Sequence, residues 1–261
     1  MSRARSALPA IALVILAAAI APAPAAAALE PNIYIAPDYW RANLSGDGQT
    51  RGGNSNERFD FNDTLGLESS STVRALESFI RFDRTSVVFG YAHGSYRGTN
   101  RLKSDLVYAG RTFVAGATVR SHLDYDHVKL LYGRPFLQGR LITAALRAGF
   151  YEYRMGSEVN QSGVGEPDVD IHTTLPVFGA AMTINPTPAI RIHGEIIGMK
   201  LDRGGTNSSV RDAYTSVDYL LFQGVAIRAG YRFSAIDAKE QGKAKFDLKE
   251  HGTFLGLALS F

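Results

Sequence analysis

The chain has 261 residues, with 28 Lys and Arg against 25 Asp and Glu, and it contains no cysteine. A disulfide framework, a thiol nucleophile and a cysteine-based zinc site are therefore excluded. Arg3 and Arg5 lie at the start of the chain, so the remainder is close to neutral, and its charge gives no reason to expect a nucleic-acid partner.

The N-terminus has the order of a secretory signal peptide. Its two arginines precede an apolar stretch at residues 10–20 and a small-residue run at residues 21–28. A membrane-spanning helix needs about 20 apolar residues, and this stretch is shorter. We expect residues 1–28 to be a cleaved signal peptide and residues 29–261 to be the mature domain, with an uncleaved N-terminal anchor as the alternative.

The rest of the sequence alternates between apolar residues and polar or small ones, which is the period of a β-strand with two different faces. Since scarcely any segment has a helical period, we predict an all-β chain with ten strands. Eight strands are the alternative, because Pro37 and Asp38 interrupt the first one. The predicted strands lie near residues 32–43, 73–82, 86–97, 118–132, 141–153, 171–184, 189–201, 214–222, 225–236 and 246–261.

The fourth predicted strand changes character along its length. Its two faces exchange their apolar and polar residues near Asp126 and His127. This exchange predicts either a β-bulge or the level of a membrane surface at that point.

The connections between the strands alternate between short and long. The short ones are residues 83–85, 133–140, 185–188 and 222–224, and the long polar ones are residues 45–72, 98–116, 156–170, 202–212 and 237–245. Short turns at one rim and long loops at the other are typical of outer-membrane β-barrels, in which the long loops face outward. We therefore predict an antiparallel transmembrane β-barrel in a bacterial outer membrane.

A barrel in lipid must be closed, because every backbone N–H and C=O group needs a partner within the protein. The apolar face of each strand must then contact lipid, and the charged face must line the interior. The interior network predicted in this way consists of Glu77, Arg81, Lys129, Arg147, Arg191, Glu195, Asp218, Arg228 and Arg232.

The last segment, Gly252-Thr-Phe-Leu-Gly-Leu-Ala-Leu-Ser-Phe261, alternates and ends on an aromatic residue. It resembles the closing strand of the small porin-like barrels of the Gram-negative outer-membrane protein family. That resemblance implies recognition by the barrel-assembly machinery, with Phe261 as the assembly signal. The segment Phe59-Asp-Phe-Asn-Asp-Thr-Leu-Gly-Leu67 is similar to an Asp-x-Leu-Gly-Leu stretch between the first two strands of some small outer-membrane barrels.

Candidate catalytic residues are His122, Asp124 and Asp126, which share one face of the fourth strand near the predicted outer rim. Such a group could activate water, as in barrel proteases of the omptin type, or bind a cation. The alternative is a polar strand end that stands above the membrane in water. His93 and Ser95 are the residue types that a lipid A acylhydrolase needs, and we assign His193 to the interior network.

Two classes of function follow from this sequence. The first is a non-enzymatic barrel with a structural or surface-interaction role or a narrow solute pore, since charged side chains would fill the interior of a ten-stranded barrel. The second is an outer-membrane hydrolase that acts on lipid A or peptides. We expect contacts with outer-membrane lipid and lipopolysaccharide, a monomer, and neither a cofactor nor a metal.

Overall fold

The computed structural model describes residues 32–52, 55–82, 85–161, 167–203, 206–240 and 244–261. The predicted signal peptide lies outside the described residues. Within them the chain forms thirteen β-strands and no helix long and apolar enough to cross a membrane. The strands are β1 Ile33–Gly52, β2 Ser55–Asp60, β3 Ser70–Phe82, β4 Thr85–Arg101, β5 Leu106–Tyr108, β6 Arg111–Phe113, β7 Thr118–Gln138, β8 Ile142–Asn160, β9 Asp168–Thr187, β10 Ile190–Arg203, β11 Thr206–Phe222, β12 Val225–Glu240 and β13 Ala244–Ser260.

Ten of these strands close into an antiparallel barrel. They follow the order β1-β3-β4-β7-β8-β9-β10-β11-β12-β13, and β13 pairs with β1 to complete the ring. The predicted all-β fold and ten-strand count are confirmed. The first strand forms despite Pro37, which lies in register with Leu76 of β3 and is exposed on the outer wall.

The start of β1 and the end of β13 lie at the same rim as the short connections. The backbone N–H of Ile33 donates to the carbonyl of Phe261, and the N–H of Phe261 donates to the carbonyl of Ile33. This rim faces the periplasm in outer-membrane barrels. The side chain of Phe261 itself is 71% exposed on the outer wall.

An apolar belt surrounds the half of the barrel next to this rim. Its side chains point outward and are exposed to the surroundings of the barrel. The exposed fraction of the residue is 59% for Leu146 and 60% for Phe150. Hydrocarbon is the solvent that such a surface requires. Members of the belt include Ile35, Tyr39, Ile80, Phe89, Leu130, Tyr132, Phe136, Leu146, Phe150, Phe178, Met182, Ile196, Leu221, Ile227, Leu255 and Leu257.

The strands continue well beyond the belt, and two of the predicted long loops are wrong as a result. Residues 202–212 belong mainly to β10 and β11, and residues 237–245 belong mainly to β12 and β13. In these extensions, which form the extracellular half of the barrel, the outward residues are polar and the inward residues are apolar. On β7, for example, Asp124 points outward and Leu123 points inward. The sequence pattern of these extensions is therefore the inverse of the pattern in the belt.

Strand β7 keeps one continuous pleat through Asp126 and His127. Its register with β4 and β8 is unbroken there, and the irregularity in its pairing with β8 lies between Pro135 and Leu137. Of the two alternatives for the exchange of faces, a bulge at this point is wrong. The change of solvent at the edge of the apolar belt explains the exchange.

Candidate functional site

An ionic layer crosses the interior at the level of the belt. Lys129 Nζ lies 2.7 Å from Glu195 Oε1 and 3.0 Å from Glu77 Oε1. Arg232 lies 3.2 Å from Glu77 through Nη1 and 2.5 Å from Asp212 through Nη2. All five side chains are buried, so each charge depends on its partners rather than on water.

A second part of the ionic layer lies nearer the periplasmic rim. Arg228 reaches Asp38 at 3.1 Å and Asp218 at 3.6 Å, and the hydroxyl of Tyr34 donates to Asp218 at 2.9 Å. These groups come from β1, β11 and β12, so they connect three strands across the seam where the barrel closes.

All nine side chains of the predicted interior network lie on the inward face. Sequence reasoning missed three inward partners of this network, namely Asp38, His127 and Asp212. Asp38 was read as an interruption of the first strand, and Asp212 fell in a predicted loop. The signal that could have found them is the strand parity, which puts Asp38 on the face of Tyr34 and Trp40.

Glycines on neighbouring strands make room for the long cations. A Cβ at Gly90 would lie 2.5 Å from Lys129 Cε, and a Cβ at Gly133 would lie 1.7 Å from Arg147 Nη1. Each glycine faces inward beside the residue it accommodates. The small residues on the polar face of the strands therefore provide the volume that the ionic layer fills.

An aromatic layer lies above the ionic layer. Rings of Tyr96, Tyr125 and Tyr153 stack at centroid distances of 6.5 and 5.7 Å, and His127 lies 5.2 Å from Tyr151. All of these rings are buried. The carboxylate of Glu250 also lies in this layer, since the hydroxyl of Tyr96 donates to it at 2.6 Å.

The segment at residues 59–67, singled out in the sequence for its resemblance, folds into the outer mouth of the barrel. Phe59, Phe61, Leu65 and Leu67 are all buried, and the ring of Phe61 stacks on Phe246 at 6.0 Å. The side chain of Asp60 accepts hydrogen bonds from the backbone N–H groups of residues 62 and 63, which fixes the turn. We call this segment, together with the hairpin of β5 and β6 that covers it, the aromatic lid.

The hairpin of β5 and β6 completes the aromatic lid. Tyr108 packs on Phe59 at 5.4 Å and donates a hydrogen bond to the carbonyl of Ser157 in β8, while Thr50 of β1 donates to the carbonyl of Val107. Burial in the lid raises the pKa of the Tyr108 phenol. Because β1 and β8 lie on opposite sides of the ring, the hairpin spans the mouth.

The three candidate catalytic residues lie on the outer wall above the belt. His122 pairs with Asp124 of its own strand. Asp126 accepts a hydrogen bond from the hydroxyl of Tyr91 at 2.7 Å and lies 3.0 Å from His93 Nδ1. Their side chains are partly exposed on the outer face of β7, and they do not converge on an enclosed site.

The second hydrolase candidate is also on the outer wall. His93 and Ser95 share the outward face of β4, and His93 is engaged with Asp126. His193, in contrast, faces inward and lies 2.9 Å from the hydroxyl of Thr183. In the described ranges there is no group of three or more His, Asp or Glu side chains that could hold a metal ion.

An extracellular groove of about 700 Å³ lies against the upper outer wall. It is formed by the end of the lid segment and by the upper parts of β4, β7 and β8. Arg97, His122 and Glu158 lie side by side across these strands. The ionisable residues of the groove are Glu68, Arg97, Arg120, His122 and Glu158. The groove therefore offers both arginine donors and carboxylate acceptors to a ligand outside the cell.

Comparisons with known proteins bear on the fold. No protein-family model matches the sequence, and no curated protein matches it. The outer membrane protease OmpT from Escherichia coli is similar in structure, with a TM-score of 0.58 and 12% identity over 91% of this chain and 99% of that chain. Ail of Yersinia pestis has a TM-score of 0.37 and 11% identity over 89% of this chain and 100% of that chain. The chain has the fold of a Gram-negative outer-membrane β-barrel.

Proposed function

We propose that this protein is a closed, non-enzymatic outer-membrane barrel that acts at the cell surface. The observation that carries the proposal is the filled interior. The aromatic lid closes the extracellular half, and the ionic layer, with buried Lys129 and Arg232 in salt bridges, fills the periplasmic half. A solute would have to break both layers to pass, which leaves the outer surface as the place of action.

Conductance across a planar lipid bilayer tests the closed interior. We expect the folded protein to insert without producing current steps, because neither layer leaves a continuous water path. Heat-modifiable migration on a detergent gel would first establish that the inserted protein is folded. Reproducible current steps from such protein would overturn the proposal and favour the narrow solute pore.

For the surface role we propose that the extracellular groove binds the saccharide part of lipopolysaccharide. The groove lies near the extracellular ends of β4, β7 and β8, above the apolar belt and on the side of the membrane where the sugars of lipopolysaccharide extend. Its mixed charges suit a hydrated ligand with many hydroxyl groups, and Arg97 and Arg120 suit the phosphates that such a ligand carries.

Binding of deacylated lipopolysaccharide, which is soluble, tests the groove. We expect the double variant Arg97→Gln with Arg120→Gln to bind at least about tenfold more weakly than the unchanged protein. Lys200→Gln is the matched control, because Lys200 is exposed on the upper outer wall of β10, away from the groove. Equal affinity for all three proteins would contradict the assignment.

The hydrolase alternative has less support. An omptin-type site would need carboxylates and a His/Asp pair to meet at the rim of the barrel, whereas His122, Asp124 and Asp126 lie along the outer wall. The likeness to OmpT, at 12% identity, concerns the fold. Cleavage of a peptide or release of an acyl chain from lipid A, lost on His122→Ala, would restore this alternative.

A further inference from the structure

The wall of the barrel is incompletely paired between β9 and β10. The register of these two strands ends where Phe178 lies opposite Gly198. Beyond this pair, toward the extracellular side, β9 stays in register with β8 and β10 stays in register with β11. In the part of the chain that the structure describes, no register pair joins β9 to β10 there. We call residues 168–177 of β9 the open edge.

Two hydrogen bonds show which backbone groups of the open edge point away from β8. The N–H of Asn185 donates to the carbonyl of Leu141, and the N–H of Val159 donates to the carbonyl of Pro167. Alternate residues of a strand bond to the same neighbouring strand. Because the register between β8 and β9 is unbroken, the odd-numbered residues of β9 bond to β8 and the even-numbered residues direct their backbone groups to the opposite side. The even-numbered residues of the open edge are Asp168, Asp170, His172, Thr174 and Pro176.

These even-numbered residues have the character of a strand edge that faces water. Asp168, Asp170, His172 and Thr174 are all exposed. Pro176, which has no N–H to donate, lies two residues from the last pair with β10. Since proline is confined to edge positions in a sheet, Pro176 explains why the pairing with β10 stops at this point. The N–H and C=O groups of the residues above it are available to another strand.

The gap in pairing leaves the interior closed. Inward side chains of the open edge, such as Val169, Ile171 and Leu175, stay buried in the core. On the other side of the gap, Met199 and Leu201 of β10 pack against this core but are only partly buried. A strand added beside the open edge would cover these two side chains with its own inward residues, which should therefore be apolar.

The outward face of the open edge is acidic at its extracellular end. Asp168 lies opposite Glu158 of β8, and Asp170 follows on the same face of β9. Like charges in opposite positions destabilise a sheet. Neither aspartate has an ion pair among the described residues, so cations brought by a partner would relieve the repulsion. A second copy of this edge would bring more carboxylates, which disfavours self-association.

We propose that the open edge binds an extended peptide segment of another protein, which adds to β9 as a strand in the place that β10 leaves. The backbone groups of β9 supply the ladder of hydrogen bonds. Inward positions of the segment are apolar and cover Met199 and Leu201, and its outward positions include Lys or Arg beside Asp168 and Asp170. The edge begins at the apolar belt, where Phe178 lies, and extends to the extracellular side. The partner therefore comes from outside the cell.

Fluorescence anisotropy with a labelled synthetic peptide of about eight residues tests the site on the folded, detergent-solubilised protein. In the peptide, valine alternates with lysine and threonine, so that one face is apolar and the other basic. We expect saturable binding, and at least about tenfold weaker binding by Thr174→Pro, which removes an N–H from the open edge but no hydrogen bond of the barrel. Thr174→Val is the matched control, because it keeps the N–H and should bind the peptide as tightly as the unchanged protein.

The backbone of the peptide provides a second test that needs no protein variant. N-methyl groups on its lysines and threonines block the N–H groups that would face β9, so the methylated peptide should not bind. Hydrogen exchange at Asp170, His172 and Thr174 should be fast in the free protein and slower with the unmethylated peptide bound.

Three results would overturn the proposal: no saturable binding of the unmethylated peptide, equal binding of the methylated one, or slow exchange at these N–H groups in the free protein. Equal affinity of folded Thr174→Pro and Thr174→Val would do the same. Heat-modifiable migration shows that each variant is folded. The outcome is independent of bilayer conductance and of saccharide binding, because Thr174 belongs neither to the ionic layer nor to the extracellular groove.

Discussion

The two halves of this barrel interior are filled by opposite chemistries. In the periplasmic half, ion pairs such as Lys129 with Glu195 cross the interior, while Leu130 and its neighbours face outward. In the extracellular half, Phe61 and Phe246 pack inside, while Asp247 and Lys249 face outward. The strands run unbroken through both halves. One pleated sheet therefore has its apolar residues on the outer face at the periplasmic end and on the inner face at the extracellular end.

The solvent around each half explains this inversion. Where hydrocarbon surrounds the wall, apolar side chains cost nothing outside, and the polar face must find its partners within. Where water surrounds the wall, apolar side chains gain free energy by moving inside, as in a soluble protein. The extracellular half is therefore a water-exposed β-domain built on the membrane barrel, with a core of its own.

The largest expected effect comes from the centre of the ionic layer. Lys129→Met keeps most of the side-chain volume but leaves Glu77 and Glu195 without their shared cation. Breaking a buried ion pair in this way costs about 3–5 kcal/mol of the free energy of unfolding. Urea titration followed by the fluorescence of Trp40, the single tryptophan of the chain, measures the loss.

The matched control for this variant is Lys249→Met, which removes the same group from the outer wall. Lys249 lies 3.3 Å from Asp247, and its side chain is 46% exposed. An exposed pair of this kind contributes less than about 1 kcal/mol. If both variants lost the same stability, the contrast between a buried ionic layer and a solvated wall would be wrong.

The next effect is expected in the aromatic lid. Phe61→Ala removes a buried ring from between Phe59 and Phe246, which should cost about 3 kcal/mol. We expect faster proteolysis at the lid and no current in a planar bilayer, because the ionic layer still fills the interior. A current from this variant would show that the lid alone keeps the barrel closed.

A smaller effect tests the packing between strands. The new methyl group of Gly90→Ala would lie 2.5 Å from Lys129 Cε and 2.7 Å from its Cγ, and two salt bridges hold this lysine in place. Overpacking of this kind costs about 1–3 kcal/mol. In Gly194→Ala, the control, the methyl group lies 3.8 Å from its nearest neighbour, so that variant should keep its stability. Equal urea midpoints for the two variants would contradict this account.

The same inversion determines how far the sequence could predict the structure. In the periplasmic half, the strands, their faces and the charged interior were predictable, because arginines such as Arg228 and Arg232 alternate with bulky apolar residues. In the extracellular half the alternation continues with opposite polarity, so the extension at residues 202–212 was predicted as a loop. Period alone defines a strand, but it does not tell which face points inward.

The aromatic lid could not be predicted for a different reason. Phe59 and Phe61 alternate with Asp60 over a few residues, and nothing local indicates that the segment folds back onto Phe246 near the other end of the chain. The contact depends on closure of β1 against β13, which is a property of the whole barrel. For the same reason, the strand face of Asp124 and Asp126 was predictable, but its outward direction was not.

The smallest expected effect compares one substitution on the two sides of the wall. Asp126→Asn on the outside weakens contacts with Tyr91 and His93, and because Asp126 is 45% exposed, water replaces them. We expect a loss below about 1 kcal/mol in urea titration. Asp212→Asn on the inside removes the charge that faces buried Arg232 and should cost several times more, up to about 3–5 kcal/mol. A loss at Asp126 as large as the loss at Asp212 would contradict this contrast and would mark the cluster around His93 as a candidate catalytic site on the outer wall.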